Sequence, residues 1–128
     1  MTAFVTVTTL AVLMAAGLVV DGGRLLAARR TAVHAAEQAA RVGAQELDQD
    51  MLRRRTQQLD PRQAEASARA HLVRSGVQGD VTLDGGQVHV RARVVQDLGL
   101  LRLVGLATVT VHGEGQARPV RGVREGET

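Results

Sequence analysis

The chain has 128 residues, 45% of them hydrophobic, and a formal net charge of +3 in which every positive side chain is arginine. Setting aside the first 20 or so residues leaves about 105 to build a core, enough for one small domain. With a single Phe, no Trp, no Tyr and no Cys, that core is thin and aliphatic, and neither a disulfide framework nor a thiolate metal site is available. Thirteen acids are interspersed among the arginines, and only Arg53, Arg54 and Arg55 cluster. The chain therefore lacks the one-signed basic stripe or stacking aromatics of a nucleic-acid-binding surface. An all-Arg, Ala/Gly/Val-rich usage is what a GC-rich coding sequence tends to give.

From Ala3 to Val20 there are 18 residues without a charge. At about 1.5 Å per residue a helix over this run is roughly 27 Å long, close to the hydrocarbon thickness of a bilayer. Thr6, Thr8 and Thr9 do not forbid insertion, because a hydroxyl bonds back to a carbonyl one turn earlier. Ala11 and Ala15 form a small-xxx-small pair that admits a second helix in lipid. A buried core helix is the soluble alternative, but such helices are usually shorter. A cleaved signal peptide has a shorter apolar region, a basic start and an A-x-A-like site, whereas this segment offers only "MAAG". The expectation is a retained transmembrane helix over residues 1–20.

Asp21, Gly22 and Gly23 form the expected junction, 21–23, with Asp21 capping a resumed helix and the glycines allowing a bend or a left-handed residue. Asp21 also pairs in prospect with Arg24 one turn on, or with an arginine of a neighbouring subunit. Beyond the junction Leu26, Val33, Ala40 and Leu47 recur every seven residues, with Ala36 and Gly43 three residues after Val33 and Ala40. This predicts a lean seam packed against a sheet or another helix. The stretch from Leu47 to Leu59 finishes the long helix and frays into a connection. Asp60-Pro61 then starts a short helix to about Arg74, with Ala64, Ala68 and Leu72 on one face and Gly76 at its end.

After Gly79 the period changes to two. Val81 and Leu83 alternate with polar residues, Asp84-Gly85-Gly86 suits a hairpin turn, and Val88, Val90, Ala92 and Val94 continue the pattern. A third strand fits Ala107 to about Gln116, with Val109 and Val111 on its buried face. Between these strands "LGLLRLVGL" is too short and glycine-broken to span a membrane. Leu98, Leu100, Leu101, Leu103, Val104 and Leu106 form either a buried loop under the sheet or an exposed contact patch. Residues 24–121 thus read as a small α+β domain, and 122–128 as a disordered tail.

No catalytic constellation stands out. His34 and Glu37 have ligand-compatible spacing, but His71, His89 and His112 fall on other elements, and no HExxH, phosphate-binding loop or nucleophile triad is present. The reading is a non-enzymatic protein with no cofactor, no metal and no small-molecule substrate.

The run "AGLVVDGGRLLAARR" followed by "AVHAAEQAARVGAQEL" resembles the TadE/TadG-like family of pilus-assembly proteins, in particular its short actinobacterial members. Asp21, Gly23 and Arg24 match the family's Asp-x-Gly-Arg motif, and Ala35, Ala36, Gln38, Ala39, Ala40, Gly43 and Ala44 match the Ala/Gln-rich helix after it. "LGLLRLVGLATVTVHGEGQARPV" is similar to the strand-ending C-terminal part of those members. The processing site and early Glu of pseudopilin-type members have no counterpart here. The resemblance implies an α+β fold in which a transmembrane helix continues into a long amphipathic helix, a short helix and a three-stranded antiparallel sheet. It implies a minor pilin-like or assembly component of a Tad/Flp-type pilus or related secretion system, partnered by the membrane, other subunits or further copies of itself. It also places the domain outside the cytoplasmic membrane, whereas Arg24, Arg29 and Arg30, by the positive-inside rule alone, would place it inside. The expectation follows the family. The alternatives are a secreted or membrane-held binding module and a soluble nucleic-acid-binding domain.

Overall fold

The computed structural model describes residues 1–54 and 60–119. The connection expected after the long helix, Arg55 of the basic cluster and the tail 122–128 lie outside the described residues. Helix α1 runs from Thr2 to Arg54 without interruption, a rod of about 80 Å at 1.5 Å per residue. It contains no proline and is rich in alanine and leucine, the strongest helix formers. The anticipated break at 21–23 does not occur. Gly22 and Gly23 are helical, and the left-handed glycines are Gly76, Gly85, Gly86 and Gly105. Two interior glycines cost about 1 kcal/mol each relative to alanine, too little to stop a helix with long, strongly helical flanks. Asp21 therefore sits mid-helix and does not cap α1.

Helix α2, Pro61–Arg74, follows its sequence signals closely. Asp60 adopts an extended backbone and accepts a hydrogen bond from the Arg62 amide at 3.1 Å, which satisfies one of the donors a helix start leaves open. Ala64, Ala68 and Leu72 are buried, and Gly76 follows in the left-handed conformation.

Strands β1 (Gln78–Asp84), β2 (Gln87–Asp97) and β3 (Thr108–Ala117) form an antiparallel sheet in the order β1-β2-β3. The two-residue turn Gly85-Gly86 has φ of 55° and 79°, positive at both positions as a hairpin matched to strand twist requires. Val81 pairs with Val90 and Leu83 with Val88, so the inward residues coincide across the hairpin. A single 3₁₀ turn, Leu101–Val104, lies between β2 and β3.

Both helices cover one face of this sheet, in a core made largely of alanine. Ala32, Ala36, Ala39, Ala40, Ala64, Ala68, Val88 and Ala92 have no exposed surface. Three elements meet at Gly43, where a Cβ would lie 3.1 Å from Val88 Cγ1, 3.2 Å from the Ala64 carbonyl oxygen and 3.3 Å from Ala68 Cβ. Closest of all is the approach of α1 to β3. A Cβ on Gly113 would fall on the backbone between Ala32 and Val33, and one on Gly115 on the backbone between Ala36 and Glu37. Val109 and Val111 share that face of β3 but are only half-buried; the strand's buried positions are the two glycines.

The seam on α1 is correspondingly shifted. Ala36, Ala40, Gly43 and Leu47 are buried and Val33 is half-buried, but Leu26 is exposed, and Ala28, Ala32, Ala35, Ala39 and Ala44 complete the buried stripe. A strict seven-residue repeat drifts about 20° per heptad around a straight helix. Leu26 is three heptads from Leu47, so it has turned roughly 60° away from the sheet.

Candidate functional site at the foot of the domain

Along α1 the sheet ends near Asp21, and below that point the helix is bare. Residues 3–20 are exposed with one exception, Gly17, and Phe4, Leu10, Leu13, Leu18 and Val19 are among the large apolar side chains left uncovered. Thr6, Thr8 and Thr9 return their hydroxyls to the carbonyls of Thr2, Phe4 and Val5 at 2.8–2.9 Å, so the run presents no unsatisfied hydroxyl donor. This is the one helix among the described residues long and apolar enough to cross a membrane.

The boundary between the bare and covered parts is built around Asp21, whose side chain is fully buried. Its Oδ1 accepts from the Gly99 amide at 3.0 Å, and its Oδ2 accepts from the Leu100 amide at 2.9 Å and the Leu101 amide at 2.8 Å. The Leu100 and Leu101 amides are ones that a 3₁₀ turn beginning at Leu101 leaves without partners inside the turn, and Gly99 immediately precedes it. One carboxylate thus satisfies three donors contributed by residues 78 to 80 positions away in sequence. The Arg24 guanidinium lies 3.6 Å from Oδ1, one turn up the same helix. The hydrogen bond from the Leu101 amide lowers the Asp21 carboxyl from its usual value of 3.8; those from Gly99 and Leu100 and the charge of Arg24 act in the same direction, against the opposing effect of burial.

The rest of the loop fits this anchor. A Cβ on Gly99 would meet Arg24 Nη1, the far end of a flexible and partly exposed side chain. The base of the loop closes with the Leu98 amide donating to the Ala107 carbonyl at 2.9 Å, and Gly105, at φ 95°, turns the chain back. Leu100 Cβ lies 3.0 Å from where a Cβ on Gly17 would be, so the loop rests on the helix a full turn below Asp21. The six apolar residues singled out in this stretch divide: Leu98 is buried, Leu101 is half-buried, and Leu100, Leu103, Val104 and Leu106 face outward.

The structure places Asp21 and Arg24 at this site and leaves Gly22 and Gly23 exposed beside it, with no atom within 4 Å of where a Cβ would be. Sequence reasoning assigned Asp21 to a cap, to Arg24 or to an arginine of a neighbouring subunit, and missed the three amides. The available signal was an acid at the end of an apolar run, together with a glycine-led apolar loop whose own amides needed an acceptor. The four histidines stay dispersed over α1, α2, β2 and β3, and among the described residues no three His, Asp or Glu side chains come together in an arrangement that would hold a metal. A shallow polar groove of about 550 Å³ between α1 and the sheet is lined by Glu37, Arg41, Asp80, His89, Arg91 and Glu114 among others. Its Arg91–Glu114 ion pair, 3.0 Å across β2 and β3, is exposed on both sides and contributes little.

Residues 1–46 match the family of putative Flp pilus-assembly TadE/G-like proteins. The likeness to that family covers 46 of the 128 residues. The matched stretch takes in the bare apolar helix, Asp21 to Arg24 and the seam to within one residue of Leu47, while the sheet and the loop that meets Asp21 lie beyond it. No curated protein and no solved structure matches the chain.

Proposed function

We propose that the protein is a membrane-anchored, non-catalytic, minor pilin-like or assembly component of a Tad/Flp-type pilus or related secretion system. On this reading residues 1–20 cross the cytoplasmic membrane once and the α+β domain stands on its outer side. The observation that carries the reading is a bare 18-residue apolar face, Ala3 to Val20, continuous with the domain's main helix, within the stretch that is TadE/G-like. An apolar surface of that size on a soluble monomer is an interaction site, and its length suits a bilayer. Its partners are then the membrane and other subunits of the assembly, including further copies of the chain.

Carbonate-washed membranes should retain the full-length protein, and its recovery in the soluble fraction would overturn the anchoring. Orientation is read separately. An alkaline phosphatase fused to the C-terminus should be active and a green fluorescent protein fused there dark, since the first needs export to form its disulfides and the second folds poorly when exported through the general pathway. The reverse pattern would mean that Arg24, Arg29 and Arg30 obey the positive-inside rule, and it would remove the pilus role.

A further inference from the structure

We propose that the loop 98–106 is a second membrane contact, a foot that lowers Leu100, Leu103, Val104 and Leu106 into the interfacial layer of the bilayer crossed by α1; this rests on the anchoring proposed above. Three observations carry it. The first is depth. Leu100 packs on Gly17, four residues inside the apolar run, so this side chain lies about 6 Å along the helix axis below Asp21. A bilayer that accommodates the run up to Val20 also covers the level at which Leu100 sits. The second is chemistry. Leu103 is 85% exposed, and Leu100, Val104 and Leu106 are each about half exposed, an uncovered cluster continuous with the bare helix beside it. From Leu98 to Gly113 the chain has no acid, and its one permanent charge is Arg102, suited to keep a guanidinium among lipid headgroups while its stem lies along apolar surface.

The third is the fastening. A loop that dips into lipid needs its backbone donors satisfied within the protein, since unsatisfied groups there are costly. Asp21 accepts from three successive amides at the start of this turn. The Gly105 amide bonds to the Arg102 carbonyl and the Leu106 amide to the Leu101 carbonyl, each at 3.1 Å. The same bonds close the Asp21 carboxylate off from its surroundings, which permits an acid at the edge of a spanning helix.

The chain contains no Trp and no Tyr, so one introduced tryptophan reports without background. Full-length Leu103→Trp, Leu10→Trp and Val73→Trp are each reconstituted into phosphatidylcholine/phosphatidylglycerol vesicles, with and without brominated acyl chains, and titrated with aqueous acrylamide. Leu10 lies in the span and Val73 is exposed on α2. The expected result is a blue-shifted Leu103→Trp emission that loses most of its intensity to brominated lipid, as Leu10→Trp does, while Val73→Trp loses intensity only to acrylamide. Quenching of Leu10→Trp by brominated lipid with Leu103→Trp open to acrylamide would overturn the foot and leave the anchor standing. Leu103→Trp shielded from both quenchers would also overturn it, since a protein partner would then cover the loop. Leu10→Trp indifferent to brominated lipid would overturn anchor and foot together. Should Leu103→Trp lose the trypsin resistance of the parent protein, Leu106→Trp supplies the same readout.

Discussion

Adding one methyl group should act in opposite directions at two pairs of glycines, and the contrast tests the helix–sheet contact directly. At Gly113 and Gly115 a Cβ would fall on the backbone of α1 at Ala32–Val33 and Ala36–Glu37. Backbone within a helix cannot turn aside as a flexible side chain does, so α1 must lift from β3. The residues on its underside are alanines, too short to refill the gap that lifting opens. Overpacking of this kind costs about 1–3 kcal/mol, and a domain of this size loses roughly 4–8 °C per kcal/mol. Gly113→Ala should therefore lower the midpoint by about 5–20 °C. One displacement of the helix relieves both clashes, so Gly113→Ala/Gly115→Ala should cost less than the sum of the singles. At Gly22 and Gly23 a Cβ would meet nothing within 4 Å. Each Gly→Ala change there should stabilise α1 by about 0.5–1 kcal/mol, through helix propensity alone. Full-length protein in detergent, heated and pulsed with trypsin, reports the domain through cleavage at Arg91 and Arg93 on β2. Equal shifts of the same sign for Gly113→Ala and Gly22→Ala would refute the close approach of α1 to β3.

Asp21→Leu removes the acceptor of three amides and should free the loop, read as faster tryptic cleavage after Arg102 with the remaining sites unchanged; Asp21→Asn, which keeps one oxygen acceptor, should lie between. Because the Asp21 carboxyl is lowered in the folded protein, the stability it contributes is complete above its usual value of 3.8 and is lost only as pH falls below that through the depressed folded value. Cleavage after Arg102 by an acid-tolerant protease specific for arginine should thus be constant through mildly acidic pH and rise only below this range. Ala40→Arg should abolish trypsin resistance, since Ala40 is wholly buried and the new charge has no partner, whereas Arg41→Ala on the exposed neighbouring position should change it little; equal tolerance of both would show the face misassigned. Leu72→Ala, the largest core truncation available on α2, should cost about 2–5 kcal/mol, and Asp60→Ala about 1 kcal/mol, both read as denaturant midpoints.

Local chemistry was legible and remote contact was not. The start of α2 at Asp60-Pro61, the turn at Gly85-Gly86 and the alternation of Val88, Val90 and Ala92 depend on residues within a few positions of one another, and each matches the structure. The same locality misled at Gly22-Gly23, where glycine's freedom suggests a break and the helical flanks on either side override it. It misled again at Leu26, because a heptad count carried over three repeats ignores the mismatch between 3.5 and 3.6 residues per turn. Gly113 and Gly115 carry no local signal that singles them out in the strand. Their reason lies across the interface in Ala32 and Ala36, and only the packed structure supplies it. Asp21 is the sharpest case, since its partners arrive from the far end of the chain.

The contacts of α1 with the rest of the domain also decide what the double glycine is not. Leu100 rests on Gly17, three amides hold Asp21, and β3 meets Ala32 and Ala36. From Gly17 to Ala36 these points span about 29 Å of one helix. A bend at Gly22-Gly23 would move the lower contacts away from the upper ones, and would have to break the Asp21 hydrogen bonds or lift the helix from Gly113 and Gly115. The glycines therefore supply no pivot in the folded protein, and α1 acts as a single rod from its apolar end into the core. If residues 3–20 lie in a bilayer, the tilt of that segment fixes the tilt of the sheet above it, and a neighbour that packs against the segment in lipid also orients the domain. That coupling suits a subunit whose domain must be presented at a set angle in an assembly, and it is lost if Asp21 no longer holds the loop.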